Sequence, residues 1–365
     1  MININSYVIK FGTKTFTEMP FNDVDGFILA ELAMINFELL LKKRSVMVLK
    51  DIVIENYKKV IYGSPDARAN GIMLKRMMVS ERFKDVRVGY PKRIFEERVA
   101  NQFYAITFIL PDDTIYIAFR GTDITLVGWK EDLYLTFMDN IPSYYQALEY
   151  TESVLSLLPG KFILGGHSKG GHLAFYAALN IKPELCDRLL YAISYDGPGF
   201  RNGIEKYLNY ETVKDRLRKY LTHRDLVGMV YTDIPNSTIV YSTGVLLGGH
   251  DPFTWKIDPN TGEYVTRKKR TKRSANFMIA ANMWLAELSY EDKLLGCEAL
   301  FKIVGKAQNI YDLLKYLGAN LAKFNSVIKT FPKKQQKRLR ELIQMFLKNL
   351  KKAKTKRIEN KGVVE

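Results

Sequence analysis

The chain has 365 residues, of which 47% are hydrophobic, 26% charged and 12% aromatic. These values are typical of a folded globular protein and exclude a wholly disordered, collagen-like or low-complexity chain. The two cysteines, Cys186 and Cys297, are too few for a disulfide framework or a cysteine-rich zinc module. At roughly 100–200 residues per domain, the length predicts one large domain with an extension, or two domains.

The net charge of +16 is concentrated in two segments. Residues 267–273 carry six basic residues and no acid, and residues 331–358 carry eleven basic residues and one acid. These segments account for the whole positive excess. The N-terminus lacks the apolar stretch of a signal peptide, and no uncharged apolar run reaches the ~18 residues of a spanning helix. We therefore expect a cytoplasmic protein, with peripheral membrane association as an alternative.

The first 80 residues are predicted to be mostly helical. Apolar side chains recur near the helical period over residues 21–40, and residues 49–63 and 70–83 are two further candidate helices. This segment is interpreted as a helical lead-in to the domain that follows.

The middle of the chain alternates strands and helices. β-Branched and aromatic runs at 103–110 and 114–119 flank a Pro-Asp-Asp turn and predict a hairpin. Beyond it, candidate helices at 143–158 and 171–180 interleave with short candidate strands at 161–165, 189–195 and 217–222. This alternation predicts an α/β fold with a mainly parallel sheet.

After the basic segment at 267–273, the chain is predicted to contain only helices. They cover residues 276–288, 290–304 and 310–330, followed by an amphipathic basic helix near the C-terminus. We therefore predict an α/β domain over residues 1–265, including the lead-in over 1–80, and a basic helical extension over 266–365.

The basic C-terminal helix has three interpretations. It packs on the core with a solvated basic face, it lies on an anionic membrane surface, or it binds nucleic acid phosphates. The first is favoured and nucleic acid is the least favoured. The sequence predicts no oligomeric state.

The pentapeptide Gly166-His167-Ser168-Lys169-Gly170 matches G-x-S-x-G and lies between a predicted strand and a predicted helix. A serine on such a sharp turn is held in strained backbone geometry with its hydroxyl exposed, and small neighbours let strand and helix approach closely. Ser168 is therefore the candidate nucleophile. A glycine-rich turn in which the serine only caps the helix is the alternative.

A nucleophilic serine needs a base, and the base needs a carboxylate that orients it. In this architecture the chain order is serine, acid, histidine, and His223 and His250 are the histidines downstream of the elbow helix. His250, in a Gly-Gly-His-Asp-Pro loop, is the favoured base. Asp225, which follows a predicted strand, is the favoured acid. Asp196, which also ends a strand, is the alternative acid, and Asp233 is a weaker third candidate.

An oxyanion hole needs two N–H donors. One is expected from the backbone of Lys169, the residue after the nucleophile. The other is expected from the loop after residues 114–119, where Gly121 permits a close approach and Thr122 presents its N–H and steadies it with its hydroxyl.

Metal and cofactor sites are not predicted. The four histidines are not paired at ligand spacing, and His167 and His172 are expected to have structural roles. The sequence also lacks the glycine-rich phosphate-binding patterns of nucleotide sites.

The segments FRGT, GWKEDL and GGHSKGGHLAFYAA together resemble the class 3 lipase pattern of α/β-hydrolases. The segments FNDVDGFILAEL, SYDGPGF and GHDPFTW resemble an uncharacterised bacterial hydrolase family related to those lipases and known mainly as a domain of unknown function. The resemblance spans about residues 21–284. It implies an α/β-hydrolase fold and the residues already singled out: Ser168, Thr122, Lys169, Asp225 and His250. The sequence departs from the lipases by carrying Lys169 where leucine is usual.

These observations predict a serine hydrolase that cleaves carboxylic esters, of the lipase, esterase or lysophospholipase type, through an acyl-enzyme on Ser168. The substrate is expected to be a small-molecule ester or a lipid. A thioesterase or peptidase with the same triad is one alternative. A non-catalytic binding protein that keeps the hydrolase fold is another.

Overall fold

The computed structural model describes residues 1–224, 226–231, 237–304 and 321–359. These residues form an eight-stranded sheet whose strands follow chain order from one edge to the other. The pairings from the first strand to the fourth are antiparallel, and those from the fourth to the eighth are parallel. The strands are β1 (Val46–Val48), β2 (Arg87–Glu96), β3 (Asn101–Ile109), β4 (Ile115–Phe119), β5 (Phe162–His167), β6 (Leu189–Tyr195), β7 (Leu217–Thr222) and β8 (Thr238–Val240).

Helices precede, flank and follow this sheet. The lead-in contains α1 (Ile4–Phe11), α2 (Asp23–Leu32), α3 (Phe37–Leu41), α4 (Tyr57–Val60) and α5 (Ala67–Met77). The strands are connected by α6 (Leu126–Leu135), α7 (Pro142–Leu157), α8 (Lys169–Asn180) and α9 (Tyr210–Val213). The C-terminal part contains α10 (Lys272–Glu287), α11 (Tyr290–Val304), α12 (Leu321–Ile328) and α13 (Lys333–Glu359). The predicted α/β-hydrolase fold, with its mainly parallel sheet, helical lead-in and helical extension, is confirmed.

Each face of the sheet carries its own apolar core. On β4, Tyr116 and Ala118 belong to one cluster, whereas Ile117 and Phe119 belong to the other. This separation follows from the two-residue period of a strand, which sends successive side chains to opposite faces. Helices α1, α2 and α5 cover the first face, and α7 and α8 cover the second.

The lead-in is joined to the sheet by buried polar contacts as well as by apolar packing. The Tyr116 hydroxyl donates to the Gly26 carbonyl at 2.7 Å. The Arg120 guanidinium donates to the Ala33 carbonyl at 2.6 Å and lies 3.6 Å from the centre of the Tyr104 ring. Because these partners lie on different elements, the contacts fix the lead-in against the strands that end at the candidate site.

Two predicted helices differ from the structure. Residues 21–40 form two helices, α2 and α3, because residues 33–36 leave the helical path. Residues 49–63 form a 3₁₀ turn (Leu49–Asp51) and the short α4, because Ile52 adopts an extended backbone. The helix predicted over 310–330 lies partly outside the described residues, and α12 is its described part.

The apolar stripe of the basic C-terminal helix faces α10 and α11. The Trp284 indole N–H donates to the Leu342 carbonyl at 2.9 Å, and the Phe346 ring lies 5.5 Å from the Trp284 ring. Arg338 makes two 2.7 Å bonds to the Asp292 carboxylate. The helix is therefore packed on its neighbours, with many of its lysines and arginines exposed. No helix among the residues described is both long and apolar enough to cross a membrane.

Candidate active site

Ser168 occupies a tight turn between β5 and α8. Its backbone has φ 57° and ψ −129°, a left-handed conformation that strains a residue with a side chain. Its N–H donates to the Tyr195 carbonyl at 2.9 Å, so the turn is fixed to the end of β6. The side chain is partly exposed. This is the geometry of a nucleophile elbow.

Glycines make this turn sterically feasible. A Cβ at Gly166 would lie 2.2 Å from the Gly170 carbonyl carbon, and a Cβ at Gly170 would lie 2.0 Å from the Phe119 carbonyl oxygen. Both distances are far below van der Waals contact. The pattern of small residues around the serine is thus explained by the close approach of β4, β5 and α8.

His250 lies in the loop that follows β8, and its ring contacts Asp196. The distance from His250 Nδ1 to Asp196 Oδ2 is 2.9 Å, and the Asp196 side chain is fully buried at the end of β6. Because a carboxylate only accepts hydrogen bonds, this contact places the hydrogen on Nδ1 and leaves Nε2 as the basic nitrogen. His250 and Asp196 therefore form an oriented imidazole–carboxylate pair.

The pair lies beside the elbow. The rings of His167 and His250 are 4.5 Å apart, and His167 Nε2 donates to the His250 carbonyl at 3.0 Å. A Cβ at Gly197, the residue after Asp196, would lie 2.6 Å from the Ser168 carbonyl oxygen. The structure thus gathers the serine, the histidine and the alternative acid at the carboxyl edge of the parallel strands, where open α/β sheets bind their ligands.

Two further candidate acids, Asp225 and Asp233, lie outside the described residues. Their assignment as the triad acid stays a prediction. His223 is buried, and its Nδ1 accepts the Ser242 N–H at 3.3 Å.

His172 has the structural role that the sequence predicts. The Tyr144 hydroxyl lies 2.6 Å from His172 Nε2, and the Pro198 carbonyl oxygen lies 3.1 Å from His172 Nδ1. Because the carbonyl only accepts, Nδ1 donates to it and Nε2 accepts from the tyrosine. Burial lowers the pKa of His172 to about 4, so the ring is neutral at physiological pH.

The loop after β4 brings Thr122 to the site. A Cβ at Gly121 would lie 2.8 Å from the His167 carbonyl oxygen and 3.5 Å from Ser168 Cβ, so this loop runs against the elbow. The Thr122 hydroxyl lies 2.6 and 2.7 Å from the two oxygens of Asp132, to which it donates. Burial raises the pKa of Asp132 to about 6, although Lys169 and the Thr122 hydroxyl oppose that rise. The threonine is therefore held by its hydroxyl, as the sequence predicts.

The side chain of Lys169 does not face the reaction centre. Its ammonium is fully buried and donates to Glu131 Oε2 at 2.6 Å and to the carbonyl and side-chain oxygens of Gln102 at 2.6 and 2.7 Å. As the first residue of α8, Lys169 has a backbone N–H without an acceptor inside the helix. The charged residue beside the nucleophile therefore adds no exposed charge to the site.

Sequence reasoning missed several polar partners of the site. Glu131 and Asp132 lie in the GWKEDL segment, whose resemblance to the lipase pattern predicts no role for either acid. Glu31 of α2 is also buried, and its carboxylate lies 2.9 Å from His167 Nδ1. A signal was present for the first two, since adjacent acids closely follow the predicted donor loop. The buried position of Glu31 depends on tertiary packing.

Other carboxyl groups lie near His250. Burial raises the pKa of Asp66 to about 7, and the nearby Asp251 and Glu31 raise it further, whereas His250 opposes the rise. Burial also raises the pKa of Asp251. Within the described ranges, no group of three or more histidine, cysteine, aspartate or glutamate side chains has a geometry that could hold a metal ion.

Comparison with solved structures found lipases. The structure of M37 lipase is 17% identical, with a TM-score of 0.35, and the match covers 55% of this chain and 67% of that one. A triacylglycerol lipase whose catalytic centre is formed by a serine protease triad is 15% identical, with a TM-score of 0.30 and coverages of 47% and 69%. Rhizomucor miehei lipase in its propeptide complex is 14% identical, with a TM-score of 0.31 and coverages of 59% and 66%.

A comparison with curated proteins found no significant match. The family model described as Mbeg1-like matches residues 77–302. The match begins in the lead-in and continues past residue 265 through α10 and most of α11. Because it spans more than half of the chain, the protein belongs to the Mbeg1-like family.

Proposed function

We propose that the chain is a serine hydrolase that cleaves carboxylic esters through an acyl-enzyme on Ser168. The observation that carries this proposal is the strained elbow of Ser168 beside the oriented pair of His250 and Asp196. The same edge of the sheet carries Thr122 and the free helix N-terminus at Lys169 as candidate oxyanion donors. A binding protein would have no need of this strained backbone geometry.

In the first half of the reaction, His250 Nε2 removes the proton from the Ser168 hydroxyl as Oγ attacks the acyl carbon. The carbonyl electron pair moves onto oxygen, and the backbone N–H groups of Thr122 and Lys169 stabilise the oxyanion. The intermediate collapses as the alcohol leaves with the proton from His250. Water then attacks the acyl-enzyme with the same histidine as base and releases the acid.

We assign the acid of the triad to Asp196. Its carboxylate orients His250 in the tautomer that leaves Nε2 basic, and it stabilises the imidazolium that forms in each half-reaction. Its full burial strengthens this interaction, because the local dielectric is low. Asp225 is retained as the competing assignment.

The test is labelling with a fluorophosphonate, in which Ser168 Oγ attacks phosphorus and displaces fluoride. We expect the wild type to be labelled and Ser168→Ala and His250→Ala to lose labelling while remaining folded. Ser156→Ala, which changes an exposed serine on α7, is the matched control and keeps it. Failure to label folded wild-type protein would contradict the proposal and favour a binding protein.

Two further comparisons refine the assignment. Asp196→Ala is expected to slow labelling strongly, and Asp225→Ala to leave it near the wild-type rate; the reverse result would move the acid to Asp225.

A panel of p-nitrophenyl esters, acyl thioesters and acyl anilides separates the ester hydrolase from a thioesterase or peptidase, because the triad fixes acyl transfer and not the leaving group.

A further inference from the structure

The ammonium of Lys169, the residue after the candidate nucleophile, is held by three hydrogen bonds. An ammonium has three N–H donors, and three acceptors occupy them: Glu131 Oε2, the Gln102 carbonyl and Gln102 Oε1, at 2.6, 2.6 and 2.7 Å. The side chains of Lys169 and Glu131 are both fully buried. Lys169 is thus fixed to β3 and α6 by its side chain and to the elbow by its backbone.

Glu131 is fixed in turn by its own partners. Its Oε2 also accepts the Gln102 N–H at 3.1 Å, and its Oε1 accepts the Ser143 hydroxyl of α7. A buried ion pair is seldom explained by stability alone, because desolvation offsets the attraction and apolar residues of similar size are often equally stabilising. The position of the Lys169–Glu131 pair, and not its contribution to stability, therefore bears on its role.

The position of the pair indicates that role. Lys169 contributes one candidate oxyanion donor through its backbone N–H, and Thr122 contributes the other. Glu131 holds Lys169, and the next residue, Asp132, holds the Thr122 hydroxyl. The adjacent acids Glu131 and Asp132 thus accept hydrogen bonds from Lys169 and Thr122. The backbone N–H groups of these two residues must converge on one oxygen.

We propose that Glu131 is a positioning residue, which acts through the Lys169 ammonium to set the oxyanion donor at the elbow. This inference rests on the proposed function. It assigns the departure from leucine at position 169 to the alignment of the transition-state site and not to substrate charge.

The proposal predicts a defect confined to the transition state. In Glu131→Gln and Lys169→Met, kcat for an ester should fall about 10- to 100-fold while KM stays unchanged, because a displaced donor weakens an interaction made with the oxyanion. Affinity for a trifluoromethyl ketone should fall by the same factor. Ser168 Oγ adds to the carbonyl carbon of this inhibitor, and the serine proton passes to His250. The ketone oxygen then carries the negative charge.

The double variant Glu131→Gln/Lys169→Met separates positioning from stability. Removing both charges leaves no unpaired buried ion, so stability should recover relative to the single variants. The positioning role predicts that kcat and ketone affinity remain low. Recovery of both along with stability would overturn the proposal, and the double variant remains informative if a single variant fails to fold.

A second buried ion pair supplies the matched control. Arg82 and Asp25 are also fully buried, with Arg82 Nε 2.7 Å from Asp25 Oδ1, but they join α2 to the segment between α5 and β2. Asp25→Asn should lower stability and leave the kcat of the folded enzyme unchanged.

If wild type resists fluorophosphonate, the proposed function fails. If wild type reacts and Glu131→Gln keeps its kcat and ketone affinity, only the positioning role fails.

Discussion

At the scale of single residues, burial sets the protonation of the carboxyl groups around His250. The pKa values of Asp66 and Asp132 rise to about 7 and about 6, in each case chiefly because burial disfavours the charged form. A carboxyl group with a raised pKa loses part of its contribution to folding when it ionises. The neighbourhood of the histidine is therefore stabilised by protonation in a pH range where exposed carboxyl groups are ionised.

The variant Asp66→Asn tests whether protonation of a buried carboxyl group stabilises the fold. Asp66 is the N-cap residue of α5 and makes no side-chain capping bond, so asparagine removes no such bond. Because the folded pKa is raised, the contribution of Asp66 is present below about pH 4 and is lost as pH rises through about 7. We expect the variant to match wild type near pH 4 and to exceed its free energy of unfolding by about 2 kcal/mol at pH 8, after allowance for partial exposure.

Urea unfolding at pH 5, 6, 7 and 8 measures this difference. Asp187→Asn, at an exposed aspartate, is the matched control for the Asp-to-Asn change itself. A constant difference between Asp66→Asn and wild type over the same range would contradict the prediction.

The candidate site could be predicted from sequence only as far as local patterns reach. Ser168 is recognisable because its glycines, strand and helix are contiguous in the chain. His250 is recognisable because few histidines follow the elbow. Asp196 and Asp225 both follow strands and precede His250, so chain order leaves the choice between them open. The direction of the Lys169 side chain depends on Glu131, nearly forty residues away in the sequence.

At the scale of elements, α6 contacts the loop that carries Thr122, a candidate oxyanion donor. It carries Glu131 and Asp132 toward the elbow, and it approaches the sheet closely at Gly128. A Cβ at Gly128 would lie 2.9 Å from Gln102 Oε1 and 3.0 Å from Thr122 Cγ2. Gln102 Oε1 is bound to the Lys169 ammonium, so it cannot move away without breaking that bond.

Gly128→Ala is therefore expected to displace α6 or Thr122. We predict about a 10-fold or greater loss of kcat with ester substrates, since small displacements of catalytic groups have large effects on rate. Alanine favours helices over glycine by about 1 kcal/mol, so some of the steric cost in stability is offset. Steady-state kinetics and urea unfolding together measure both effects.

Gly296→Ala is the matched helical control. A Cβ at Gly296 in α11 would meet no described atom within 4 Å. This variant should gain stability through helix propensity and keep wild-type kcat. Equal kinetics for the two variants would contradict the positioning of Thr122 by α6.

The elements that the sequence predicts well are those with buried, continuous apolar runs. Strands β3 to β6 are predicted on this basis, and every residue of β3 and β4 is buried. Strand β7 is predicted although it carries Arg218 and Lys219. Strand β2 was missed because much of it is partly exposed and it carries polar residues and a proline. Strands β1 and β8 have three residues each, too few to show a period. At the break within 21–40, the Ala33 and Ile35 carbonyls accept hydrogen bonds from Arg120, a partner that no local pattern reveals.

At the scale of the whole molecule, positive charge and apolar surface are separated on the C-terminal helix. An isolated amphipathic basic helix would place its apolar face in a lipid surface. Here Leu339 and Leu342 on that face are buried, and Leu342 is bonded to Trp284 of α10. Any attraction of the packed helix to an anionic membrane therefore depends on its exposed lysines and arginines.

The buried apolar face and exposed basic side chains of α13 predict membrane binding by charge alone. We expect the protein to co-sediment with vesicles that contain phosphatidylserine and not with neutral phosphatidylcholine vesicles, and binding should disappear at about 0.5 M salt, where charges are strongly screened. The variant Lys333→Gln/Lys337→Gln/Arg340→Gln changes three exposed positions. At about 1 kcal/mol for each charge near the surface, it should bind about 100-fold more weakly.

The control must remove the same charge elsewhere. Lys10→Gln/Lys43→Gln/Lys58→Gln changes three exposed lysines of the lead-in and lowers the net charge equally. If the C-terminal helix is the contact, this variant should bind almost as wild type does, whereas equal weakening of both variants would indicate attraction by net charge. Binding to neutral vesicles, or binding that survives high salt, would contradict the prediction in another way. Because screening does not weaken apolar contact, such binding would indicate contact through apolar side chains, either those already exposed or the leucines that α13 buries against α10.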